Sequence, residues 1–188
     1  MSSDIFSRPI DVSKFGLIYC GAQKNMGPAG VTLIIVNKDL LGKSGRPIPT
    51  MLDYNTHITK RSMFNTPPTF PIFVSMLTMR WVKENGGVAA MALKNEAKAK
   101  LLYNEIDANP MFEGTTHIED RSLMNVTFKM KNTEKETAFL EACANADCVG
   151  LKGHRSVGGF RASIYNAMPI ESVQVLVDVM KDFANKNT

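Results

Sequence analysis

The chain has 188 residues, 44% hydrophobic and 21% charged, a balance that supports a buried core and argues against disorder. Its net charge of +4 is scattered rather than striped, so no nucleic-acid surface is expected, and no apolar run approaches the roughly 20 residues that cross a bilayer. Three cysteines, Cys20, Cys143 and Cys148, make an odd number with no C-x-x-C pair, which argues against a secreted disulfide framework and a zinc site and predicts a reducing cytoplasm.

Leu17 to Cys20 and Val31 to Val36 read as strands joined by a Gly- and Pro-rich turn. The second run is continuously apolar, as expected of a strand buried on both faces. Asn37 to Leu41 reads as a short helical turn and Gly42 to Pro49 as loop. Residues 51–69 hold few apolar repeats and end at Pro67-Pro68, which predicts a long functional loop. A helix follows, with Phe73, Met76, Leu77, Arg80 and Trp81 at helical spacing, and stops at Asn85-Gly86-Gly87. Val88 to Ala108 is a second helix with Met91, Ala99, Leu102 and Ile106 on one face. Leu123 to Met130 alternates as a strand, and Thr133 to Ala146 is a helix with Glu134 and Glu136 suited to its start. A short strand near Val149–Leu151 and a longer one from Gly158 to Tyr165 precede a final helix, Pro169 to Ala184. Its buried stripe is Val173, Leu176, Val177, Met180 and Phe183. The order strand, helix, strand, strand, helix predicts a small α+β sandwich.

Lys24 is the residue that invites chemistry. It sits in Gly21-Ala22-Gln23-Lys24-Asn25, just before Gly27-Pro28-Ala29-Gly30. A rigid hairpin turn holds an amine partly out of water, which favours the neutral form that attacks carbonyls; an ordinary turn lysine is the plainer reading. Asn65-Thr66 precedes Pro67, which biases Thr66 toward extended backbone and presents both side chains; a helix cap is the alternative. Arg161 follows Gly158-Gly159 in a strand-like run, where a guanidinium fork suits a carboxylate or a surface ion pair. His154-Arg155 lies in a Gly-flanked loop that brings donors to an anion or is simply exposed and polar. His57 and His117 have no matched partner, and Asp53 with Tyr54 reads as loop structure.

The segments Ser7-Arg8-Pro9-Ile10-Asp11-Val12 through Asn25, Ser62-Met63-Phe64-Asn65-Thr66-Pro67-Pro68-Thr69, and Lys152-Gly153-His154-Arg155 with Arg161-Ala162-Ser163-Ile164-Tyr165-Asn166-Ala167 occur in this order. Together they resemble the phosphoserine aminotransferases, pyridoxal-phosphate enzymes of the aspartate-aminotransferase fold type. The likeness covers nearly the whole chain but only the C-terminal half of the family. The family's aspartate that pairs with the pyridinium nitrogen precedes a Ser-Ser pair, and here Ser2-Ser3 follow Met1 directly. The resemblance implies an α/β fold. Residues 1–86 would be the end of the cofactor-binding large domain and residues 87–188 a small C-terminal α+β domain.

The resemblance also implies roles. Lys24 would hold the aldehyde of pyridoxal 5'-phosphate and move a proton at the substrate α-carbon. Gln23 would hydrogen-bond the cofactor phosphate. Asn65 and Thr66 would bind the phosphate of the cofactor in the other subunit of a homodimer with shared active sites. Arg161 would grip the substrate α-carboxylate, and His154 with Arg155 the distal anion. No metal is implied. The implied reaction converts phosphohydroxypyruvate and glutamate to O-phosphoserine and 2-oxoglutarate, toward serine, and some relatives take a phosphorylated four-carbon analogue toward the cofactor itself. One rival is another pyridoxal-phosphate enzyme of the same fold type, an aminotransferase or a desulfurase, although a desulfurase needs a reactive loop cysteine. The other is a fragment that folds, dimerises and binds anions without chemistry.

Overall fold

The computed structural model describes residues 1–187. Strands β1 (Leu17–Gly21) and β2 (Thr32–Val36) form an antiparallel ribbon in which Cys20 faces Leu33. Ile5, Cys20, Ala22 and Met26 make a small buried cluster against it, with Leu33 and Met79 packed alongside. No residue of β2 is fully buried, so the expectation of a strand covered on both faces fails. Among the described residues, this sheet consists of β1 and β2 alone.

A single 3-10 turn at Lys38–Leu40 matches the expected helical turn. Helix α1 (Tyr54–Thr59) then interrupts the stretch expected to be loop. Asp53 caps it, its carboxylate accepting from the Asn55 N–H at 2.9 Å, which satisfies one of the free donors of the first turn. Helix α2 (Thr69–Glu84) buries Ser75 and Val82, while Phe70, Phe73 and Leu77 turn outward. The chain reverses at Gly86 and Gly87, whose φ angles are 92° and 71°; only glycine adopts that left-handed conformation cheaply. The reversal launches α3 (Gly87–Ala108), whose buried face includes the expected Met91, Ala99, Leu102 and Ile106.

Strands β3 (Phe112–Gly114), β4 (Asn125–Met130) and β5 (Phe160–Ser163) form an antiparallel sheet in the order β3-β4-β5. β3 spans 3 residues, too few for alternation to be read from the sequence. The strand expected near Val149–Leu151 shrinks to one bridge between Lys152 and Phe160. Helices α4 (Glu136–Asn145) and α5 (Ile170–Asn187) join α3 around one core. The α5 stripe is buried as expected. Phe160 and Ala162 point into the core, as do Val126, Phe128 and Met130. Arg161 and Lys129 are exposed, and Asn125, Thr127 and Ser163 half-exposed. One face of the sheet is therefore apolar and covered by helices, and the other is polar and open. Among the described residues, no helix is long and apolar enough to cross a membrane.

Aromatic rings lock this core. Phe139 lies 5.0, 5.1 and 5.4 Å from the ring centres of Phe112, Phe160 and Phe183. Phe139→Ala removes a fully buried ring and is expected to lower the unfolding free energy by about 3–5 kcal/mol. Phe70→Ala, at a residue 72% exposed, should change it by less than about 0.5 kcal/mol. Urea denaturation of both variants beside the wild type checks the contrast.

Candidate active site

The turn after β1 is wound around one carbonyl. Ala22 O accepts from the N–H groups of Lys24, Met26 and Gly27 at 2.6, 3.2 and 2.8 Å. Ala22 itself is fully buried. Gly27 is required because a β-carbon there would sit 2.6 Å from Ser75 Oγ and 3.1 Å from Ser75 Cα. The turn therefore packs directly on α2, and the Lys24 backbone is fixed on both sides. The Lys24 side chain is half-buried, in keeping with a turn expected to hold it partly out of water. Its ammonium lies 5.8 Å from the centre of the Tyr165 ring, near the limit for a cation–π attraction.

Asn25, the next residue, is 4% exposed. Its amide donates to the carbonyls of Ser3 and Ile5, both at 3.1 Å, and its Oδ1 accepts from the Asn166 N–H at 3.0 Å. Asn166 in turn donates to Phe6 O at 3.0 Å and accepts from Asn95 Nδ2 at 2.8 Å. Asn95 also donates to Ser7 O at 3.0 Å. One buried amide lattice thus ties the N-terminal segment, the lysine turn, α3 and the segment after β5. Phe6 is held at φ 58°, a left-handed conformation that costs a non-glycine residue energy and that the bond from Asn166 to its carbonyl helps maintain. None of Asn25, Asn95, Asn166 or Tyr165 stood out as a site residue. Asn95 and Lys98 carried a signal, being polar residues on the apolar stripe of α3.

Lys98 donates to Ile164 O at 3.0 Å and Tyr165 O at 2.7 Å. Burial pushes its ammonium down from the usual 10.5 to about 8, with like-charge repulsion from Lys94 adding to the effect.

Arg161 lies on the open face of the sheet, opposite Thr127. Ser163 and Tyr165 follow at two-residue spacing, the period that returns side chains to the same face of an extended chain. Tyr165 Oη donates to Asn125 Oδ1 at 3.0 Å. Tyr165 brings Lys24 to the segment that follows β5, the strand that carries Arg161. Arg161 also lines a cavity of about 260 Å³ with Leu151, Ser163 and Ser172. The remaining candidates stay apart from this cluster. Gln23 is exposed and its side chain folds back over Gly21. Asn65 and Thr66 are exposed between α1 and α2, and Asn65 Nδ2 donates only locally, to Thr66 O at 3.2 Å. His154 and Arg155 are exposed on the loop before β5, with His154 Nδ1 2.7 Å from Ser156 Oγ. Among the described residues, no cluster of His, Cys, Asp and Glu could hold a metal ion.

Two outcomes follow from this lattice. Asn25→Ala leaves buried carbonyls unpaired and is expected to cost about 1–3 kcal/mol, with faster hydrogen exchange at the Asn166 amide, read by mass spectrometry or NMR. Between about 8 and 10.5, the folded and ordinary values for Lys98, the unfolded chain binds more protons than the folded one. Stability relative to a Lys98→Met variant should therefore rise with pH across that window, and below it the cost of the buried charge is fully present. Denaturation curves of both proteins from neutral to alkaline pH check the sign.

The sequence profile of "Aminotransferase class-V" matches residues 1–176. A phosphoserine aminotransferase of Flavobacterium johnsoniae is 62% identical over 186 residues, which is 99% of this chain and 52% of that protein. The solved structure of a phosphoserine aminotransferase from Bacillus circulans subsp. alkalophilus superposes with a TM-score of 0.95 at 46% identity, covering 100% of this chain and 52% of that one. A pyridoxal-phosphate-bound phosphoserine aminotransferase from Trichomonas vaginalis gives a TM-score of 0.90 at 43% identity over 96% of this chain and 52% of its own. The chain spans about half the length of the curated relatives it matches. With the profile covering nearly the whole sequence, the chain belongs to the class-V aminotransferases.

Proposed function

We propose that this chain serves a cytoplasmic pyridoxal-phosphate-dependent phosphoserine aminotransferase, which exchanges the amino group between glutamate and phosphohydroxypyruvate to give 2-oxoglutarate and O-phosphoserine. The observation that carries the reading is the rigid Lys24 turn docked beside the strand of Arg161, in a chain 62% identical to a phosphoserine aminotransferase. Residues 1–86 act as part of the cofactor-binding domain and residues 87–188 as the small domain.

The donor set fits the cofactor. Lys24 offers a primary amine on a backbone fixed by Ala22 O and Ser75, the group an aldehyde requires. Gln23, together with Asn65 and Thr66 from a second subunit, offers amide and hydroxyl donors for a phosphate. Pyridoxal phosphate, when bound, supplies the electron sink that makes the substrate α-proton labile. Lys24 takes and returns that proton at the α-carbon, general acid–base work that needs an amine held within hydrogen-bond reach. Arg161 orients the α-carboxylate through its planar fork. His154 and Arg155 meet the distal anion, a phosphate in one substrate and a γ-carboxylate in the other, so one pair of cationic sites serves both half-reactions. Exposure of Asn65, Thr66, His154 and Arg155 supports a homodimer in which each subunit completes the other's site.

A second reading is favoured by the outer surface. Tyr19, Phe70 and Phe73 are 64%, 72% and 53% exposed, apolar area that marks a contact face. In that reading the polypeptide folds and pairs but turns over substrate only when further polypeptide covers this face.

Incubation with pyridoxal phosphate, borohydride reduction and peptide mapping test the assignment. The adduct is expected at Lys24 and absent from Lys24→Ala; labelling spread evenly over surface lysines would sink the reading. Where turnover is measurable, Arg161→Lys should raise KM for glutamate about ten- to a hundredfold, the loss of a bidentate charge-assisted contact.

A further inference from the structure

Lys98 has no part in the roles assigned above, yet it occupies a costly position. It is 2% exposed on α3, and its ammonium reaches two carbonyls, Ile164 O and Tyr165 O. Among the described residues, no carboxylate lies within ion-pair distance of it. A buried cation without a counter-charge is expensive, and an apolar side chain of similar volume is commonly neutral or stabilising in its place. Packing alone therefore does not explain a lysine here; its donors do.

Both acceptors belong to the short segment that touches the Lys24 turn. The Tyr165 ring lies beneath the Lys24 ammonium. The Asn166 N–H, one residue on, donates to Asn25. Asn95, one helical turn before Lys98, grips the Asn166 side chain. The helix thus holds residues 164–166 from the core side while Lys24 and Asn25 meet them from the other.

We propose that Lys98 is a positioning residue: by fixing the carbonyls of Ile164 and Tyr165 it sets the place of the Tyr165 ring, and through that ring the place of the Lys24 amine. This deepens the proposed function and rests on Lys24 being the reactive amine. The arrangement trades stability for placement, as strained functional sites do.

The test is a double-mutant cycle read by acetic anhydride labelling of the full chain, with Lys24 quantified against Lys43, an exposed loop lysine. Lys98→Met is expected to change relative Lys24 labelling about two- to fivefold, the effect of losing one cation–π contact. Tyr165→Leu should change it in the same direction and by a similar factor. The combined variant should show no further change, because both substitutions act through one ring. Lys98→Gln, which keeps an amide donor, should fall between wild type and Lys98→Met, and it carries the comparison if Lys98→Met does not fold. Wild-type labelling in Lys98→Met or Lys98→Gln, or factors that multiply in the double variant, would overturn the positioning role. The labelling needs no cofactor. Absence of a borohydride-trapped adduct at Lys24 defeats the functional reading, whereas failure of the cycle defeats the role of Lys98.

Discussion

A buried amide cannot be left half-bonded at low cost, and this chain places three of them, Asn25, Asn95 and Asn166, in one lattice. Their partners are mostly backbone carbonyls of residues 3–7, a segment with no regular secondary structure of its own. The lattice therefore does for this segment what a strand ladder does elsewhere: it satisfies backbone groups that would otherwise face the interior empty. It also carries the lysine turn. Asn25 is bonded to three separate backbone positions, so Lys24, one residue before it, has little freedom to shift. The Oδ1 atom of Asn95 is buried without a partner. The lattice tolerates that one loss because the two amide hydrogens of Asn95 are both used.

Much of this was legible in the sequence where periodicity is strong. The α5 stripe and the α3 stripe emerged as expected because period-3.6 patterns over long helices average out local exceptions. Short elements escaped. α1 hides behind a single cap, Asp53, and β3 is too short to show alternation. The apolar run Val31–Val36 made a strand, but its composition alone could not reveal how little covers it. Helix α2 shows the same gap, since its spacing marked a helix while Phe73 and Leu77 ended on the outside.

For the candidate site, the lysine on its turn was legible and its support was not. Lys24 and Arg161 advertise themselves by residue type and by the glycines around them. The amides that fix Lys24 look like ordinary polar residues until the fold brings them together. Their one early sign was negative: Asn95 and Lys98 break an apolar stripe, and a stripe is broken at such cost only when the polar groups find specific acceptors. The candidate site is thus written twice, once as a conspicuous lysine on a turn and once as polar interruptions in a core helix. Reading the second kind requires the tertiary partners.

The bond between Asn25 and Asn166 spans 141 residues of chain. During synthesis, at roughly 5–20 residues per second, the lysine turn leaves the ribosome about 7–28 seconds before its closing partner exists. Until then, the polar groups of Asn25 have only water or passing contacts to bond, and the β1–β2 ribbon, marginal as an isolated pair of strands, lacks the residues that anchor it. The Lys24 turn is therefore fixed only after the segment following β5 has been made, 141 residues beyond the asparagine it bonds.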